Sequence, residues 1–105
     1  MMARPLGPDS AHRFIVAYDV SNDPRRTRIA KTLESYGDRI QYSVFVLDIK
    51  PARMTRLRAA LSRLIDPEAD SVLFCDLGPL SHGGLNRVSY LGLSRTITGQ
   101  GPLII

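Results

Sequence analysis

Asp19 lies near the end of an apolar run, Phe14-Ile15-Val16-Ala17-Tyr18-Asp19-Val20, and Ser21-Asn22-Asp23-Pro24 follows at once. Arg13 precedes the run, and Arg25, Arg26 and Arg28 come after it. A strand that delivers one acid to the rim of a sheet, facing a cationic helix start, can hold a divalent metal against a phosphate chain. Mg²⁺ (or Mn²⁺) needs only one or two protein carboxylates when water and phosphate oxygens fill the other positions. Such a metal activates water and neutralises charge developing on the phosphate. The plainer alternative is a polar strand end that caps the next helix. A single Asp makes a weak site, and two copies meeting across a dimer axis make a better one.

The other candidates divide in the same way. Arg26 and Arg28 sit near the first turn of a helix, where backbone amides already favour anions and guanidinium groups strengthen phosphate binding; the alternative is a solvated helix face. Arg39, before a strand, can contact phosphate or punctuate a turn. Tyr18 and Phe45 can stack on bases, support the site or simply fill the core. Asp48 and Asp76 end strands, as secondary ligands or as turn residues. His12 and His82 show no metal-ligand spacing. Ser43 has no adjacent histidine base, and Gly83-Gly84 lacks the lysine of a phosphate loop.

These residues need a scaffold, and hydrophobic spacing supplies one. Residues 1–12 have no periodicity and read as a mobile arm, with His12 at its end. Arg13 to Val20 is a strand with Phe14, Val16 and Tyr18 on one face and Ile15, Ala17 and Asp19 on the other. Asp23 is placed to cap a helix over Pro24 to Tyr36, with Pro24 in the first turn. Ile29, Leu33 and Tyr36 form its apolar stripe, and Gly37 stops it. Arg39 to Ile49 is extended and long enough to bend into two paired strands, although no Asn-Gly or Asp-Gly marks the break. A second helix opens at Pro51, carries Met54, Leu57, Leu61, Leu64 and Ile65 inward, and ends near Asp66-Pro67. Ser71 to Leu77 is the next strand, with Cys75 read as a buried thiol.

The order β-α-β-β-α-β predicts an α+β, ferredoxin-like domain over residues 13–77 with both helices on one sheet face. The other face is apolar as well and needs a cover. Residues 78–105 contain a flexible Gly-rich break at 78–84 and then one or two short strands, Arg87 to Leu91 and Pro102 to Ile105. Crossing of these strands to the sheet edge of a partner protomer in a homodimer would bury them.

Composition bounds the function. The chain has 105 residues, a net charge of +4 and one cysteine. That is one domain without an intrachain disulfide or a Cys-rich zinc site. Most of the positive charge is arginine, whose planar fork matches phosphate, so the balance leans towards nucleic acid. No apolar run approaches the ~20 residues of a membrane span, and no secretory leader is evident, so cytoplasmic location is expected.

Tyr18-Asp19-Val20 with Asp23 and Arg25-Arg26-Thr27-Arg28, then Gly37, Arg39-Ile40-Gln41-Tyr42-Ser43-Val44-Phe45, Leu64-Ile65-Asp66-Pro67 and Asp70-Ser71-Val72 closely resemble the CRISPR-associated protein 2 family. The similarity runs from Arg13 to Leu77. The resemblance implies a ferredoxin-like homodimer joined through its sheet faces, with C-terminal strands crossing over. It implies a role in acquiring spacers, bridging dimers of the CRISPR-associated protein 1 integrase and binding duplex DNA. It also implies metal-dependent endonuclease activity on single-stranded RNA or double-stranded DNA. The family's metal-binding aspartate falls on Asp19, its tyrosine on Tyr18, its arginines on Arg26, Arg28 and Arg39, and its phenylalanine on Phe45. Many members carry an acid after Ser-Val-Phe, where this chain has Val46. Two functions remain open beside catalysis: a non-catalytic DNA-bridging adaptor and a toxin-like ribonuclease.

Overall fold

The computed structural model describes residues 10–97 and 101–102. Four strands and two helices alternate as β1 (His12–Asp19), α1 (Asp23–Glu34), β2 (Asp38–Gln41), β3 (Val44–Ile49), α2 (Pro51–Ser62) and β4 (Ser71–Pro79). The sheet order is β2-β3-β1-β4, and the pairings are all antiparallel. This is the ferredoxin-like arrangement.

Alternation along the strands sorts side chains between two faces. On the helix face, Phe14, Val16 and Tyr18 of β1 join Phe45, Leu47 and Ile49 of β3, and Ile29, Leu33, Met54, Leu57 and Leu61 of the helices complete the core. Tyr36, Leu64, Ile65, Val72 and Phe74 pack around it. The second face holds a smaller cluster: Ile40 and Val46 of the sheet with Tyr90 and Ile97 of the tail, flanked by Ile15, Val44 and Val88. The tail thus lies on part of its own sheet. The strip along β4 is left open, where Leu73 is 56% exposed and Cys75 is exposed. Cys75 is therefore not the buried thiol that its apolar neighbours predict. It alternates onto the face that lacks a cover.

Several boundaries differ from expectation for local reasons. The cap of α1 is Asn22, whose side chain accepts the Arg25 amide at 3.0 Å; the Asp23 carboxylate is drawn to Arg26 instead. The long extended stretch breaks at Tyr42-Ser43, where Tyr18 donates its amide to the Ser43 carbonyl at 3.0 Å. Helix α2 stops at Ser62, short of Asp66-Pro67. The intervening residues form turns, in which the Asp70 carboxylate takes the Asp66 amide at 2.8 Å. Gly37 serves close packing, because a Cβ there would collide with the Val46 carbonyl of β3.

Beyond β4 the Gly-rich break is structured. Two single 3₁₀ turns, Leu80–His82 and Gly84–Asn86, surround Gly83, whose φ of 93° favours glycine. Arg87 to Leu91 is irregular rather than a strand. The tail's regular structure is a minimal pairing of β5 (Thr96–Ile97) with β6 (Gly101–Pro102). The expected terminal strand falls partly on residues 103–105, outside the described residues, as does the arm over residues 1–9. His12, expected in that arm, opens β1 and pairs with Asp76 of β4 at 2.9 Å. Burial pushes the Asp76 carboxyl up, but His12 and the Gly78 amide more than offset this and hold it below its ordinary range.

Candidate nucleic-acid interface and metal centre

The C-terminal end of β1, the start of α1 and the β2–β3 turn meet at one end of the sheet. Asp19 is exposed there and alternates onto the half-open face with Ile15 and Ala17. Its strand partner on β4 is Ser71, next along the same edge as Leu73. No hydrogen bond or ion pair engages the Asp19 carboxylate among the described residues. A helix-capping role is excluded, since Asn22 performs it.

The four arginines in and just after β1 have separate fates. Arg13 is fully buried and grips Asp48 with two bonds of 2.7 Å. It is a scaffold residue, and it removes Asp48 from consideration as a ligand. Arg25 makes a similar fork to Asp70, at 2.7 and 3.0 Å, clipping the start of α1 to the segment before β4. That fork, with the Asp66 amide, holds the Asp70 carboxyl below its ordinary value, and Asp70 in turn raises Arg25. Arg26 donates to the Val20 carbonyl at 3.0 Å and pairs with Asp23. It therefore fixes the loop leaving Asp19, and Asp23 raises its pKa. Arg28 is exposed with no side-chain partner among the described residues. Lying two residues on, it points about 200° round the helix from Arg26.

Arg39, Tyr18 and Phe45 do come together. Arg39 donates to the Tyr18 hydroxyl at 3.1 Å, and that hydroxyl donates onward to the Tyr42 carbonyl at 3.4 Å. The Arg39 guanidinium lies 5.3 Å from the Phe45 ring centre and 5.9 Å from that of Tyr42. Tyr18 and Phe45 are buried, so they support the rim from beneath and present no face for stacking.

The spacing of charged and apolar residues does not single out Tyr42, which falls inside one long extended stretch, and the turn that exposes it carries no glycine signal. Tyr42 is 68% exposed. With Arg26, Thr27, Ala30, Lys31, Glu34 and Arg39 it lines a depression of about 290 Å³.

A model of the family described as CRISPR associated protein Cas2 matches residues 12–81. A Rhodospirillum rubrum protein named CRISPR-associated endoribonuclease Cas2 3 is 40% identical over 88% of this chain and 99% of its own length. A Nitratidesulfovibrio vulgaris protein named CRISPR-associated endoribonuclease Cas2 is 38% identical over 92% of this chain and 97% of its own. Among solved structures, Streptococcus pyogenes Cas2 superposes with a TM-score of 0.66 at 33% identity, covering 76% of this chain and 99% of that one. A hypothetical protein from Thermus thermophilus gives 0.70 at 31% identity, covering 83% and 98%. By sequence and by fold, the chain belongs to the CRISPR-associated protein Cas2 family.

Proposed function

We propose that the protein binds nucleic acid in CRISPR spacer acquisition and is a Mg²⁺-dependent endonuclease whose site is shared by two copies. One observation carries this reading: among the described residues Asp19 is an exposed, unpaired carboxylate on the half-open sheet face, while Asp23 and Asp70 beside it are already paired. Among the described residues no group of three or more His, Cys, Asp or Glu side chains is placed to hold a metal. At this rim, Asp19 is thus the one free acid among the described residues. That fits Mg²⁺ (or Mn²⁺) if phosphate oxygens, water and a second copy's Asp19 supply the remainder. The ion, when bound, would make a coordinated water acidic and offset charge on the scissile phosphate.

The chain's own residues hold the rim in place. Arg26 fixes the loop that leaves Asp19, Arg39 buttresses Tyr18, and Arg28, unpaired among the described residues, offers its guanidinium to a phosphate. A homodimer formed through the open face is supported by Leu73 and Cys75, which one chain leaves in water. Exchange of the tails is supported by Leu91 and Leu93, exposed at 94% and 95%. The relatives are named endoribonucleases, which favours RNA as a substrate. The CRISPR-associated protein 1 integrase and duplex DNA are the partners proposed for spacer acquisition, in the cytoplasm. No described helix is long and apolar enough to cross a membrane.

That the rim offers a single free acid among the described residues favours a second reading, a DNA-bridging adaptor that leaves chemistry to the integrase. Helix α2, with Arg53, Arg56 and Arg58 and no acid, suits such a surface. The discriminating experiment compares wild type and Asp19→Asn with Mg²⁺ and with EDTA, on single-stranded RNA and duplex DNA. The nuclease reading expects Mg²⁺-dependent cleavage that Asp19→Asn reduces by about a hundredfold or more. Cleavage that persists in the variant contradicts it. Binding without any cleavage by wild type assigns the adaptor role.

A further inference from the structure

Tyr42 is a large aromatic residue held out in solvent at 68% exposure. Its turn is nonetheless pinned at two points, by the Tyr18 amide on Ser43 at 3.0 Å and by the Tyr18 hydroxyl on its own carbonyl at 3.4 Å. The ring is therefore presented on a fixed mount. Arg26 and Arg39 each lie 5.9 Å from its centre. At that exposure neither guanidinium covers it.

The surroundings are selective. Arg39 donates one Nη to Tyr18, its Nε is buried without a partner, and its other Nη makes no hydrogen bond among the described residues. Among the described residues Lys31 is exposed and unpaired at the same depression, and Glu34 is the one acid in the lining. Tyr42 also sits on the α1 side of the sheet, beside Thr27, Ala30 and Lys31, and shares the Arg39 guanidinium with Phe45. Asp19 and the open strip of β4 lie on the other side. Two copies joined through the open face would leave Tyr42 in water, so burial in that dimer does not explain it.

We propose that this depression is a subsite for an unpaired nucleotide, with the base stacked on Tyr42 and its phosphate held by Arg39 and Lys31. Every base has an aromatic face, so stacking on an exposed ring flanked by cations grips single strands regardless of sequence. A paired base in a duplex has both faces occupied by its neighbours and gains nothing from the ring. The inference rests on the nucleic-acid-binding reading above and adds to it a preference for unpaired strands at this end of the sheet.

The test measures fluorescence anisotropy of a labelled oligoadenylate RNA, an abasic oligonucleotide of equal length and a duplex, all in EDTA so that cleavage plays no part. Tyr42→Ala should weaken oligoadenylate binding about tenfold, leave the abasic strand and the duplex unchanged, and preserve the salt dependence, because no phosphate contact is lost. Tyr42→Phe should bind like wild type, and thermal melts should show all three proteins folded. Equal losses on abasic and base-bearing strands, or no loss on either, would overturn the subsite while leaving the function standing. Failure of wild type to bind any of the three probes would overturn both.

Discussion

The two faces of β1 obey opposite logic. Phe14, Val16 and Tyr18 are buried under both helices, and each is positioned by packing within one chain. Arg13, Ile15, Ala17 and Asp19 begin in a buried ion pair and end in an exposed acid. The first face makes the fold. The second leaves part of its apolar surface and its carboxylate without partners among the described residues, and the proposed site is assembled there. A strand can thus serve stability and chemistry at once by alternation.

The largest effect that distinguishes the faces is expected in the core. Leu33→Ala, under the helix face with no exposure, should cost about 2–5 kcal/mol in denaturant unfolding. Leu73→Ser, at 56% exposure, should change the stability of one chain by less than about 0.5 kcal/mol while weakening self-association measured by sedimentation. A Leu73→Ser protein that associates as well as wild type would remove the open strip from the dimer interface.

A smaller effect concerns the clip between α1 and the approach to β4. Asp70 has its carboxyl held below its ordinary value of 3.8, first by Arg25 and then by the Asp66 amide. A depressed folded-state value means that the pair adds stability at neutral pH and loses it as pH falls below the unfolded value towards the folded one. Asp70→Asn should therefore melt below wild type at pH 7, and the gap should close below about pH 4. A gap that is constant with pH would show that the carboxylate's charge is not what stabilises the clip.

Much of this was legible in the sequence because it depends on local pattern. Period-two and helical spacing place β1, α1, α2 and β4, and the order of elements gives the topology. Asp19 at a strand exit is also local. What the pattern misses depends on contacts distant in sequence. Arg13, Arg25 and Arg26 look alike beside the strand, yet Asp48 and Asp70, which engage the first two, lie 35 and 45 residues away. Tyr42 is exposed because a turn without glycine interrupts one long β-prone run. Cys75 is exposed because the cover of its face is not part of its own strand. His12 joins β1 because Asp76 and Phe14, whose ring stacks 5.9 Å away, receive it.

The central claim is that one aspartate from each of two chains completes the site. It is tested most directly by co-refolding wild type with Asp19→Asn in equal amounts and measuring Mg²⁺-dependent cleavage at constant total protein. If the site needs both acids, random pairing leaves about a quarter of the wild-type rate. A rate of about half, linear in the wild-type fraction, would contradict the account, because each chain would then act through its own Asp19 alone.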